Sequence, residues 1–272
     1  MKTQQGVKYW LTCLVLVCFS WHGYLQAGTT CSDEPPQPTS IKKAFEAAYK
    51  THQRLESLQP KVALIGRVGQ DLSKYGLRYT HIAFIHKDTS SGQWRTTHLL
   101  NACNSNQSAL WQEGLANFFL DDLFAFDALL VVPSPALQDK LLSVINNTDT
   151  IKSMHHPVYN MLAYPFSEQY QNSNQWALEL FAKAISSQTT FVAPINNRKQ
   201  AQQWLKLTNF EPTTLKLSTT TRLGARMFRA NVAFDDHPNE RRFADLIDTV
   251  TVESLAAYIK RVDAGSITEV IQ

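Results

Sequence analysis

Two histidines and one serine carry the pattern in this chain best suited to chemistry. His81 lies in Tyr79-Thr-His-Ile-Ala-Phe-Ile85 and His98 in Trp94-Arg-Thr-Thr-His-Leu-Leu100, two segments of strand composition separated by the turn signal Ser90-Ser-Gly92. A hairpin there sets His98 beside His81, which suits a general base and the group that orients it. Ser173 stands in Tyr170-Gln-Asn-Ser-Asn-Gln-Trp176, directly before an apolar helical pattern over 177–185. A nucleophile at a helix start gains from the positive end of the dipole and from backbone N–H groups that can hold an oxyanion. Ser173 is therefore the candidate nucleophile, His81 the base and His98 its orienting partner. Asn172, Asn174 and Gln175 are candidates for binding. A plainer reading stands beside this one: histidines in sheets are commonly buried and hydrogen-bonded, and Asn-Ser-Asn is ordinary helix-capping chemistry.

Other polar clusters point less sharply. Asp235-Asp236-His237-Pro-Asn-Glu240 offers oxygens and an imidazole, but it reads better as a turn followed by a helix cap. His155-His156 precedes Pro157 in an expected loop, and Asp71, Ser73, Lys74, Asp121 and Asp122 read as loop-shaping groups. The net charge of +3 is not gathered into a basic stripe, and the chain has no metal-spaced Cys/His set, glycine-rich phosphate loop or internal repeat. No cofactor, no metal and no nucleic-acid partner are expected.

These side chains need a scaffold, and the hydrophobic pattern supplies one. A helix is expected over 41–58, capped by Ser40, with Ile41, Ala44, Phe45, Ala48 and Tyr49 on one stripe. Strands are expected at 62–68, 79–85, 94–100 and 128–132, then helices at 135–144, 174–186 and 198–207. The tail alternates short strands, near 213–217 and 228–234, with helices, the last over 252–262. Strands first and helices afterwards imply an α+β fold, an antiparallel sheet with packed helices, in a single domain over 41–272. Trp111, Phe118, Phe119, Phe124 and Phe126 are expected in the core.

The N-terminus reads as a signal peptide over 1–27: Lys2 and Lys8 precede an apolar run at 11–21 that is too short to span a bilayer, and the small residue Ala27 marks the cut. A proline-rich lead follows over 28–40. The expected destination is the periplasm or the exterior, with no integral membrane span after cleavage. Losing Cys13 and Cys18 with the signal leaves Cys31 and Cys103, which are expected to pair in an oxidising compartment. Such a bridge would contribute about 4 kcal/mol through the unfolded chain.

Four longer motifs carry a resemblance to known sequences. Arg67-Val-Gly-Gln-Asp-Leu-Ser-Lys-Tyr-Gly-Leu77, Glu113-Gly-Leu-Ala-Asn-Phe-Phe-Leu-Asp-Asp122, the 170–176 segment and His237-Pro-Asn-Glu-Arg-Arg-Phe243 make the chain resemble an uncharacterised bacterial family, domain of unknown function 2145. That family brings no activity with it. More distantly, the order strand His81-Ile82, second-strand His98-Leu99 and Asn172-Ser173-Asn174-Gln175-Trp176 at a helix start resembles the circularly permuted branch of the papain-like, NlpC-related superfamily. The superfamily pattern is His-x-Gly-Ile, His-Leu and Asn-Cys-x-x-Phe. The resemblance implies a permuted papain-like architecture and a hydrolase or acyltransferase acting on an amide or ester of the cell envelope. Ser173 stands where the superfamily has cysteine, and an alcohol must lose its proton during attack whereas a thiol can wait as thiolate. The alternative is a catalytically silent envelope protein that binds a peptide, glycan or lipid in the same groove.

Overall fold

The structure, a computed structural model, describes residues 35–188 and 194–272. The expected signal peptide and Cys31 lie outside the described residues.

The segment Val62–Val68, apolar but for Arg67, forms β1, buried along its whole length, as a strand covered on both faces requires. It pairs on one side with β2 (His81–Lys87) and on the other with β5 (Ala125–Val132). The turn from β2 to β3 (Trp94–Asn101) is built by Asp88, whose carboxylate accepts the N–H groups of Ser90 and Ser91 at 2.9 and 2.8 Å, and by Gly92 at φ 69°. Glycine suits that left-handed position because it has no Cβ. Two further strands, β4 (Ser108–Gly114) and β8 (Ile267–Ile271), form the edges of a six-stranded sheet ordered β4-β3-β2-β1-β5-β8, every pair antiparallel.

Strand alternation divides the core into two layers. Ala63, Ile65, Ala83, Ile85 and Leu130 face α1 (Pro38–Leu58) and α2 (Leu115–Phe119). Leu64, Ile82, Phe84, Leu99 and Val131 face α3 (Pro135–Ile145), α4 (Thr148–Ser153), α5 (Ser173–Ser186), α6 (Arg198–Leu207) and α9 (Val252–Val262). A separate ribbon of β6 (Thr213–Lys216) and β7 (Leu246–Thr249), with α7 (Thr219–Phe228) and α8 (Asn239–Phe243), packs around its own small cluster, including Leu215, Val232 and Phe234. The protein is thus α+β, with helices on both faces of an antiparallel sheet. Among the described residues no helix is long and apolar enough to cross a membrane.

Several local expectations need correction. The first helix starts at Pro38 with Gln37 at the cap, so Ser40 lies inside the first turn; proline suits the first helical position because its missing N–H has no partner there anyway. Its buried stripe is Ala44, Ala47, Ala48, Thr51 and Leu55, while Phe45 and Tyr49 are 52% and 63% exposed. Small residues let the helix approach the sheet closely, and the two aromatics fall beyond the contact. Residues 229–234 form no strand, and β6 pairs instead with β7. Phe118 and Phe119 are core residues, whereas Trp111, on the edge strand, and Phe124 are more than half exposed.

Candidate functional site

His81 opens β2 opposite Arg67 of β1, and His98 lies on β3 opposite Trp111 of β4. The hairpin places His81 Nε2 2.8 Å from His98 Nδ1. His98 Nε2 in turn lies 3.2 Å from Glu113 Oε1, within ion-pair range but off the line of a straight hydrogen bond. A proton on His98 Nε2, facing the carboxylate, makes His98 Nδ1 the acceptor. His81 Nε2 then donates, and His81 Nδ1 keeps its lone pair. The pair sits against Phe118, with ring centroids 6.1 Å away for His81 and 5.7 Å for His98.

Arg67 shares this pocket of the core. Its guanidinium donates to Phe118 O and to Asp121 Oδ2, both at 2.5 Å, and lies 4.7 Å from the Phe118 ring centroid. Burial, reinforced by the Arg67 charge, holds His81 well below the ordinary imidazole range. Burial lowers His98 as well, opposed by Glu113. Both rings titrate below the ordinary 6.5 and are neutral at neutral pH, because charging either would bury a second cation beside Arg67.

The start of α5 is held by its own side chains. Asn172 caps it, accepting the Gln175 N–H at 2.7 Å while its amide donates to Thr249 Oγ1 at 3.0 Å. Asn174 ties the helix to the sheet: its Oδ1 accepts the Ile82 N–H at 3.1 Å and its amide donates to Thr80 O at 3.3 Å. Gln175 is fully buried and donates to Glu179 and to Pro165 O. Ser173 presents its hydroxyl and backbone N–H to the Tyr159 phenol, a contact that opposes the upward push of burial on that group.

Between the end of the large sheet and the β6–β7 ribbon lies a cavity of about 780 Å³. His81, Ser173 and Asn174 line it, with Tyr159, Thr249 and Thr251; His98, Asn172 and Gln175 do not. Its apolar walls include Leu77, Met161, Leu217, Val232 and Phe234. Asn231 also lines it, and Asn231 Oδ1 is buried without a hydrogen-bond partner among the described residues.

The sheet keeps the serine and the histidine pair apart. His81 shares strand parity with Ala83 and Ile85, on the α1–α2 face, whereas α5 covers the face of Ile82 and Phe84, with Trp176 5.9 Å from the Phe84 ring centroid. Among the described residues no hydrogen bond joins Ser173 to His81; they share only the cavity.

A buried network that sequence reasoning missed holds the approach to α5. Glu179, fully buried, accepts from Arg198 Nε at 2.8 Å, Gln171 at 2.6 Å, Gln202 at 2.9 Å and Gln175 at 3.1 Å. Arg198 also donates to the carbonyls of Tyr170 and Glu168 at 2.9 and 3.1 Å. A lone carboxylate in the apolar run 177–185 was the available signal, since a buried charge demands a partner.

The remaining clusters have structural duties. His237 lies between Asp236 Oδ1 and Asp248 O, each at 2.9 Å, while Asp235 meets Tyr170. His155 contacts Ser108 and His156 contacts Gln169 O. Among the described residues no group of three or more His, Cys, Asp or Glu is placed to hold a metal ion. Cys103 lies in the β3–β4 connection and lines the cavity.

No curated protein and no solved structure matches the chain. A family match, by contrast, covers residues 54–259, from the end of α1 to within α9, and so contains every residue named above as lining the cavity. The chain belongs to the family described as uncharacterized protein conserved in bacteria (DUF2145).

Proposed function

We propose that the protein binds a small amphipathic molecule in the 780 Å³ cavity, with its apolar body against the wall and a hydrogen-bond donor toward Asn231. The unmatched Asn231 Oδ1, on a residue that lines this largely apolar cavity, carries this reading. A buried acceptor without a partner costs on the order of 1–3 kcal/mol, and a ligand N–H or O–H removes that cost. Neutral His81 offers a second polar contact in the same space.

N-phenyl-1-naphthylamine, an apolar fluorophore with one N–H donor, tests this directly. Saturable binding is expected, weakened about tenfold by Asn231→Leu and abolished by Gly224→Trp. Gly224 lines the cavity, and a Cβ built there meets nothing within 4 Å, so the variant fills space without a clash at its base. No uptake by the wild type, or equal uptake by all three proteins, refutes the proposal.

The second reading is a permuted papain-like hydrolase or acyltransferase of a cell-envelope amide or ester, favoured by Ser173 and His81 lining one cavity. It requires movement, because the Ser173 hydroxyl and N–H are engaged by Tyr159. Hydrolysis of small esters that disappears in Ser173→Ala and persists in Ser173→Cys would support it. Export and the Cys31–Cys103 bridge complete the proposal. Intact mass of the protein recovered from the cell envelope should lack residues 1–27 and increase by two hydrogen masses on reduction.

A further inference from the structure

The helix α7 presents two unlike faces. Gly224 and Ala225 line the cavity, while Leu223 and Met227, one turn apart on the outer side, are 60% and 69% exposed. Phe243, at the end of α8, is 73% exposed, with the Arg242 guanidinium 5.1 Å from its ring centroid. The two stretches adjoin, because Arg222 of α7 pairs at 2.7 Å with Asp245, two residues after Phe243. A helix that faces only water carries polar groups on its outer side.

The charge on α7 and the segments flanking it has one sign, whereas the α8 side carries Glu240 and Asp245, the latter paired with Arg222. Residues 212–234 contain Lys216, Arg222, Arg226 and Arg229 and no carboxylate. Lys216 and Arg226 are exposed, and Arg226 stands on the helix between Leu223 and Met227. Exposed apolar side chains interleaved with cations form the signature of a helix that lies in a lipid interface. A twofold contact between copies through α7 would gather Arg226 and Lys216 of both copies into one interface, which like-charge repulsion disfavours.

We infer that the outer face of α7, with Phe243, docks on an anionic lipid bilayer, with Leu223 and Met227 entering the headgroup boundary and Arg226 and Lys216 meeting lipid phosphates. The inference goes beyond the cavity reading and stands without it. Docking there would put the cavity directly behind the helix that touches the membrane.

Co-sedimentation of the full chain with vesicles of phosphatidylcholine, alone and mixed with phosphatidylglycerol, tests it. Binding is expected on the anionic vesicles, falling with added salt. Leu223→Ser with Met227→Ser should weaken it at least about tenfold, and Arg226→Glu about tenfold. These positions are exposed, so the melting temperature should hold, and N-phenyl-1-naphthylamine uptake in solution should hold with it. Equal binding by the wild type and the double serine variant overturns the inference, as does binding that ignores lipid charge. A dimer that the double variant dissolves, without vesicle binding, overturns it in favour of self-association. No dye uptake by the wild type, with its vesicle binding intact, rejects the cavity reading and leaves this one standing.

Discussion

Replacing Glu179 by alanine removes the acceptor at the centre of the network that anchors the approach to α5. The carboxylate is fully buried and receives Arg198 through Nε and Nη2, at 2.8 and 3.2 Å, together with the amides of Gln171, Gln175 and Gln202. Arg198 is itself buried, so the alanine variant leaves a cation without its counter-charge. Breaking such a pair from one side costs about 3–5 kcal/mol. For a domain of this size that corresponds to a fall in melting temperature on the order of 10 °C. Urea denaturation followed by tryptophan fluorescence reads the change directly, because Trp176 lies in the same helix and is fully buried. A second variant, Glu179→Leu with Arg198→Met, separates charge from hydrogen bonding. Each glutamine amide keeps one carbonyl, of Met154, Pro165 or Ser167, and loses the carboxylate. The double variant should therefore recover part of the loss and stay about 1 kcal/mol per glutamine below wild type. A cost under about 1 kcal/mol for Glu179→Ala, or a double variant as stable as wild type, refutes the reasoning.

Other consequences follow from the histidine pair and the sheet. His81 and His98 titrate lower in the folded protein than their ordinary 6.5. The unfolded chain therefore binds the extra protons first, and stability should be full above about 6.5 and fall as pH drops from there toward the folded values, with a slope of up to about 1.4 kcal/mol per pH unit for each ring that stays neutral. Urea midpoints measured across that range check the sign, and a flat profile contradicts the burial. Glu113→Gln should shift the His98 tautomer away from Nε2–H, seen as altered ring ¹⁵N shifts of both histidines; unchanged shifts would remove Glu113 from the relay. At Gly66 an added Cβ would stand 2.9 Å from Val252 Cγ1 and 3.5 Å from Leu129 Cβ, so Gly66→Ala should destabilise by about 1–3 kcal/mol in the same denaturation assay. A stabilised alanine variant would show that α9 shifts freely.

How much was legible depended on how local each determinant is. Strands β1, β2, β3 and β5 stood out because buried strands need continuous apolar or β-branched residues, and α5 because Asn172 is a cap followed by an apolar helix pattern. The hairpin that joins His81 to His98 was legible too, since a Ser-Ser-Gly turn acts over a few residues. The edge strands β4 and β8 were not: their burial is mixed, so alternation is weakened where only one side pairs. A helix between the tail segments was expected, but the bounds of α7 were not legible, because its apolar residues sit partly on the solvent side.

The candidate site divides the same way. From the sequence came the identity of its groups: two histidines on adjacent strands and a serine opening a helix. Which face of the sheet α5 covers is set by the chain's path through α3 and α4 and by the packing of Trp176 on Phe84. Strand parity had already sent His81 to the other face. Tertiary structure therefore decided that the serine and the histidine line one cavity with no hydrogen bond between them among the described residues, because alternation fixes which residues share a side while only packing across the whole sheet decides what covers that side.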